Sequence, residues 1–277
     1  MTAIGAFGVE SPQQRRWGLQ IRDDISGGKV TKRVLAVIPA RFSSSRFRGK
    51  VLANLAGKPV VQHVYERTSA CGVVDRVVIA TDDSRVADAV AGFGGDVIMT
   101  SPDHRCGSER TAEVASQHDW PLILNVQGDE PLIVPESIRG CVERLLGDES
   151  LDASTLATAI RAEAEVDSPH VVKVVLDLNG RALYFSRSPI PFALGDARGT
   201  VYKHIGVYCY RREYLLSLVK LDPGPLEKSE SLEQLRILEH GGRIGVAVTP
   251  FDTIGVDVPE DLIRAERALA SAGSFHG

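Results

Sequence analysis

Cysteine is scarce in this chain of 277 residues. The four present, Cys71, Cys106, Cys141 and Cys209, lie far apart and form no C-x-x-C pair. That spacing excludes a disulfide framework and a cysteine zinc site, and it fits a reducing cytoplasm. Long apolar runs are missing as well: nothing approaches the roughly 20 residues that a membrane-spanning helix needs. A surplus of positive charge is also missing. The formal net charge is −4, so no general basic field awaits nucleic acid, and a polyanionic ligand must be met by local cations. No internal repeat points to a solenoid or a propeller. What is left is an ordinary soluble composition, 43% hydrophobic and 25% charged, in a chain long enough for one or two domains.

Residues 1–32 differ from the rest. They carry Gln13, Gln14, Arg15, Arg16, Asp23, Asp24, Gly27 and Gly28 with little apolar periodicity. The Arg15-Arg16 pair resembles an export signal, but Arg22, Asp23 and Asp24 interrupt the apolar core that such a signal requires. The expectation is a flexible N-terminal arm, followed by one domain over residues 33–277.

That domain is organised around Val34 to Lys50. Val34 to Ile38 is a short β-branched run of the kind buried on both faces of a parallel sheet. Pro39 stops it. A small-residue loop follows with Arg41, Ser43, Ser44, Ser45, Arg46, Arg48, Gly49 and Lys50. Cations, hydroxyls and free backbone N–H groups just past the carboxyl end of a strand form a cradle for a polyphosphate. A solvated basic loop is the plainer alternative.

The chain then alternates. A helix runs from Pro59 towards Gly72, a strand from Arg76 to Ala80, and a helix from Ser84 to Ala91 capped by Asp82 or Asp83. A strand covers Asp96 to Met99, a loop Ser101 to Gly107, and a helix starts near Ser108. This βαβαβ order predicts an α/β fold with a mostly parallel sheet. The strand Leu122 to Val126 runs directly into Gln127, Gly128, Asp129, Glu130 and Pro131. An acidic pair at a strand end suits a hard divalent cation. Capping of the helix from Glu136 is the alternative, weakened by Pro131 and Pro135.

Further on, Thr155 to Ile160 reads as a strand. Val171 to Leu176 and Arg181 to Ser186 read as a hairpin turned by Asn179-Gly180. Tyr202 to Tyr210 places Tyr202, His204, Gly206, Tyr208 and Tyr210 on one face, as an aromatic edge strand would. Arg211 to Val219 and Ser229 to Glu239 are expected as helices, Arg243 to Val248 as a strand, and Pro259 to Ala270 as a terminal helix.

Nine colinear stretches carry a resemblance. They include I-P-A-R-F-S-S-S-R-x-x-G-K, A-T-D-D, M-T-S-P-D-H, N-V-Q-G-D-E-P, A-L-Y-F-S-R-S-P-I-P, K-H-I-G-V-Y-C-Y-R, S-L-E-Q-L-R-I-L-E-H-G and G-V-D-V-P-E-D-L. Over Val34 to Leu269 the chain resembles the CMP-sugar-acid synthetases, above all the 3-deoxy-manno-octulosonate (Kdo) cytidylyltransferase family. The resemblance implies a Rossmann-like, glycosyltransferase-A-type α/β domain. It also implies a smaller β-rich subdomain, near residues 177–225, carrying the acceptor site and a homodimer contact. The implied reaction transfers CMP from CTP to an acidic acceptor and releases pyrophosphate, with Mg²⁺. Carried over residue by residue, Arg41, Arg46 and Lys50 hold the CTP phosphates. Ser43, Ser44, Ser45, Thr81, Asp82, Ser108, Arg110 and Gln127 complete the nucleotide site. Asp129 and Asp257 bind the metal, and Gln127, Arg187, His204, Tyr208, Glu233 and Gln234 line the acceptor pocket. Taken alone, Arg187 and His204 also read as a surface cation and a satisfied strand histidine.

Two departures stand beside the site. Arg48-Gly49-Lys50 replaces the usual x-P-G-K, and Arg105-Cys106-Gly107-Ser108-Glu109-Arg110 replaces Q-S-G-T-[DE]-R. An added arginine near the phosphate loop suits a smaller, more charged acceptor, which makes transfer to a phosphonate or another sugar acid the second reading. A catalytically silent nucleotide binder on the same fold is the third, opposed by the retained Asp129 and Asp257.

Overall fold

The computed structural model describes residues 33–273 except Ser45, Ala193 and residues 195–198. The expected N-terminal arm and Ser45 lie outside the described residues. Element order begins β1 (Val34–Pro39), β2 (Asn54–Leu55), β3 (Lys58–Pro59), α1 (Val60–Ser69), β4 (Arg76–Thr81), α2 (Ser84–Gly92), β5 (Val97–Met99). It continues α3 (Gly107–Ser116), β6 (Leu122–Val126), α4 (Pro135–Leu146), β7 (Ala153–Ala159), α5 (Glu163–Asp167), β8 (Lys173–Leu176) and β9 (Ala182–Ser186). It closes with β10 (Tyr202–Arg211), α6 (Arg212–Leu218), α7 (Pro225–Glu230), α8 (Gln234–Glu239), β11 (Ile244–Val248) and α9 (Pro259–Gly273).

Among the described residues nine strands form one sheet, in the order β11-β7-β10-β6-β1-β4-β5, with β8 attached to β10 and β9 to β8. Pairings are parallel except those of β10 with β6, β7 and β8, and of β8 with β9. Alternation explains the layering. Val34, Ala36 and Ile38 of β1 face one core with Val61, Val90, Ile138 and Leu145. Leu35 and Val37 face the other with Val114, Leu215 and Leu235. Helices therefore cover both faces, which is why β1 and β6 are buried end to end.

Two features of this topology create the site. First, the chain leaves β1 towards β4 and β5, then returns to pair β6 on the opposite side of β1. The carboxyl ends of β1 and β6 thus flank a topological switch point, where open α/β sheets hold ligands. The two loops pass very closely there: a Cβ on Gly128 would lie 2.8 Å from the Pro39 carbonyl oxygen. Only glycine fits such an approach. Second, β10 runs antiparallel to β6 with Val207 opposite Val126. Its first residues, Tyr202 to Gly206, therefore project past the carboxyl end of β6, onto the ligand edge.

Tertiary pairing overrode the sequence pattern in two places. The Tyr202–Arg211 strand is not an edge. It lies between β6 and β7, with Tyr208 and Tyr210 buried in the second core. Its aromatic face is polar enough at the rim to look solvated, but helices cover it. The single helix expected over Ser229–Glu239 is broken. Ser231 adopts a left-handed conformation with φ 53°, and α7 and α8 form an angled pair held by Arg236 donating to both Glu227 carboxylate oxygens at 2.6 and 2.7 Å.

Candidate active site

The loop after β1 is folded by its own residues. Gly49 has φ +74°, and a Cβ there would meet the Phe42 ring at 3.0 Å. Gly49 N–H donates to Phe42 O at 2.8 Å, which closes the loop and turns Lys50 inward. Lys50 Nζ lies 2.5 Å from Asp129 Oδ2 and 2.6 Å from Asp257 Oδ1. Arg46 reaches the second Asp257 oxygen at 2.9 Å. The loops carrying the two carboxylates are tied together, since Val256 N–H donates to Asp129 O at 2.8 Å and Thr253 Oγ1 to Glu130 Oε2 at 2.8 Å. Residues 128 positions apart in number, 129 and 257, are thus brought onto one cation.

Electrostatics follow from this packing. Burial works against the Lys50 ammonium, but the attraction and hydrogen bonds of Asp129 and then Asp257 outweigh it and raise its pKa. Glu130 is pushed up to about 7, first by burial and then by the Asp129 charge. His204 is held neutral, lowered to about 3 by burial. Burial, with Glu233 beside it, drives the Cys106 thiol up to about 12, leaving an inert thiol.

Three cavities meet at this point. One of about 280 Å³ lies against Arg41, Ser43, Ser44, Lys50, Gly107 and Asp129. A second, about 250 Å³, is lined by Ser108, Gln127, His204, Tyr208, Glu233 and Gln234 among others. The third, about 820 Å³, opens beyond Asp129, Glu130, Lys203, His204 and Asp257. Gln127 borders the first and second, and Asp129 the first and third. Five of the six residues expected for the acceptor therefore share one cavity.

The structure places other expected site residues elsewhere. Arg187 does not line the cavity. Its guanidinium donates to the carbonyls of Glu230, Pro169 and Ser231 at 2.8, 3.0 and 3.3 Å, so it holds the wall from behind. Thr81, Asp82 and Arg110 border none of the three cavities. Arg110 is fully buried, with Nη2 3.2 Å from Asp82 Oδ1 but not aligned for a hydrogen bond, and with Thr100 Oγ1 as its acceptor. The pair supports the floor beneath α3. Ser108 donates to Glu233 at 2.9 Å and lines the second cavity, away from the phosphate loop. Arg41 spans the gap to the 104–105 loop through the His104 and Arg105 carbonyls. Arg48 turns away from the cavities and lies over the Phe42 ring, 5.8 Å from its centroid, so it adds no cation to the acceptor side.

The carboxylate pair fits a hard divalent ion. Asp129 and Asp257 already converge on one positive charge, and magnesium takes one or two carboxylates together with substrate phosphates. Among the described residues no group of three or more His, Cys, Asp or Glu is placed to hold a metal ion. Sequence reasoning missed Thr155, which contacts His204 at 3.0 Å, and the Glu130–Thr253 link. Neither has a local signature, because each pairs residues from separate strands or loops.

A parallel-sheet switch point with a cationic loop, a convergent carboxylate pair and an adjoining polar–aromatic cavity defines a nucleotidyltransferase. The family model described as Cytidylyltransferase matches residues 35–244. The 3-deoxy-manno-octulosonate cytidylyltransferase of Geobacter metallireducens is 50% identical over 249 residues, covering 86% of this chain and 98% of the relative. That of Geobacter sulfurreducens is 52% identical over 247 residues, covering 85% and 99%. A solved structure described as CMP:2-keto-3-deoxy-manno-octonic acid synthetase complexed with CTP aligns with TM-score 0.83 and 41% identity, covering 87% of this chain and 99% of that one. The chain belongs to the cytidylyltransferase family, in its 3-deoxy-manno-octulosonate branch.

Proposed function

We propose that this enzyme transfers CMP from CTP to the anomeric hydroxyl of Kdo, releasing pyrophosphate and forming CMP-Kdo. One observation carries the reading: Asp129, Lys50 and Asp257 converge where the cationic loop cavity meets the third cavity, which His204 also lines. The relatives at about half identity bear the Kdo cytidylyltransferase name, and the aligned structure holds CTP.

The residues divide the work. Arg41, Ser43, Ser44 and Lys50 surround the space for the triphosphate, where fixed cations offset phosphate charge. Gln127, between the two cavities, touches both substrates and sets their mutual position. Asp129 and Asp257 would hold Mg²⁺, which when bound neutralises charge at the α-phosphate. Asp129 borders the phosphate cavity and the third cavity, which it shares with His204, so its carboxylate also stands where it can orient the attacking hydroxyl. Tyr208, Glu233 and Gln234 bind the polyhydroxy acid. The four cysteines, free and mostly buried, suit the cytoplasm, where CTP is made. A homodimer contact within residues 177–225 is supported by Leu183, Phe192 and Leu194, which are 61%, 87% and 83% exposed.

Pyrophosphate release from CTP, assayed with Kdo, a sialic acid and phosphonoformate, tests the reading. Release with Kdo alone is expected. Release with phosphonoformate but not Kdo would overturn the acceptor. Tight CTP binding without release for any acceptor would overturn the activity.

A further inference from the structure

The pairing of β10 with β7 slips between Ile205 and Tyr208. This bulge re-aims the strand at the ligand edge and turns the carbonyls of Ile205 and Val207 towards Thr155. Its Oγ1 lies 2.8 Å from Val207 O, 3.3 Å from Ile205 O and 3.0 Å from His204 Nε2. Thr155 is fully buried.

A hydroxyl has one proton, and a carbonyl can only accept. The Thr155 proton therefore goes to Val207 O, the nearer oxygen. His204 Nε2 must then donate, because two lone pairs cannot face each other at 3.0 Å. The ring itself is packed edge-on against Phe185 at 5.0 Å and beside Tyr208 at 5.5 Å. Burial keeps it uncharged. A neutral imidazole with its proton on Nε2 has a bare lone pair on Nδ1. Among the described residues nothing hydrogen-bonds to that atom, while the ring borders the second and third cavities, the third together with Asp129.

We propose that Thr155 fixes His204 in the Nε2–H form, so that His204 Nδ1 reads a hydroxyl of the acceptor. This rests on the acceptor reading of the cavity. A polyhydroxy acid offers the required donor. An ionised phosphonate or carboxylate offers only acceptors and meets a lone pair. His204 is thus a binding residue that selects hydroxyls, and Thr155 is a positioning residue that sets its hydrogen-bonding sense.

The test joins a spectrum to kinetics. In ¹⁵N NMR of the full-length wild type, His204, assigned by comparison with His204→Gln, should show a protonated Nε2 and a bare Nδ1 at neutral pH. Thr155→Ser should keep this form and wild-type kinetics. Thr155→Val, which keeps shape and loses the hydroxyl, should raise the Kdo KM roughly tenfold, the weight of one hydrogen bond, with the CTP KM unchanged. A protonated Nδ1 in the wild type would overturn the proposal, as would a Thr155→Val enzyme with wild-type Kdo KM. A Thr155→Val protein that fails to fold leaves the wild-type spectrum and Thr155→Ser to decide. A wild type that releases no pyrophosphate with Kdo would overturn the function instead, and the spectrum would still judge the Thr155–His204 pairing.

Discussion

Replacing Lys50 with methionine removes the charge from the centre of the site and keeps most of the side-chain volume. The wild-type ammonium makes two short ion pairs, at 2.5 and 2.6 Å, with its side chain 12% exposed. A hydrogen bond to a charged group contributes about 1.5–3 kcal/mol. The Asp129 bond takes that value. The Asp257 side chain is 43% exposed, so screening reduces its bond to at most about 1 kcal/mol. Lys50→Met should therefore destabilise the metal-free protein by about 2–4 kcal/mol, a fall in Tm of roughly 5–15 °C for a chain of this size. The contribution is complete below pH 10.5, because the folded pKa is raised above that value. The same change leaves two carboxylates facing each other without a cation. Added Mg²⁺ should then raise the Tm of Lys50→Met more than that of the wild type, because no ammonium competes for the carboxylates. Differential scanning fluorimetry with and without Mg²⁺ measures both effects. An unchanged Tm without metal, or equal Mg²⁺-induced shifts in the two proteins, would refute the account of Lys50 as the resident cation of the site.

Further outcomes follow from the same geometry. Asp129→Ala and Asp257→Ala should each lower kcat for pyrophosphate release at least roughly a hundredfold, the scale of losing one electrostatic partner of a transition state; near-normal rates with Mg²⁺ would exclude both as metal ligands. Gly128→Ala forces a Cβ to 2.8 Å from Pro39 O and should destabilise by about 1–3 kcal/mol, read by urea titration, with the CTP KM raised because the phosphate loop shifts. The buried His204 gives a pH signature. Its folded pKa of about 3 lies below the unfolded 6.5, so the unfolded state binds more protons between those values and stability rises with pH across that window, by up to about 1.4 kcal/mol per unit. His204→Gln should flatten that slope in denaturation curves taken from pH 4 to 7 (roughly the window of the linkage); an unchanged slope would contradict a buried, neutral imidazole.

How much of the site was legible depended on whether its signal was local. The run Val34–Ile38, the proline stop and the cationic loop are contiguous, and contiguity is what pattern reading detects. Asp129 was legible because it directly follows a buried strand. The carbonyl contacts of Arg187 were not legible, since a guanidinium drawn to three main-chain carbonyls has the same sequence as one facing a carboxylate. Arg110 is fully buried, paired with a half-buried Asp82 and away from the three cavities. The break at Ser231 escaped notice because the apolar spacing continues through it, and only packing of α7 against α8 selects a left-handed residue there.

Taken alone, the sequence determined the alternating α/β order, the phosphate loop, the two candidate metal carboxylates and the resemblance to a cytidylyltransferase, because each is written in short-range pattern or colinear motif. Tertiary structure decided the rest. Antiparallel insertion of β10 beside β6 carries His204 onto the ligand edge. Glycine-tight approach of the β1 and β6 loops allows the switch point to close. The convergence of Lys50, Asp129 and Asp257 is a property of three loops from distant parts of the chain, and distance through space is set by strand order, which no local pattern encodes.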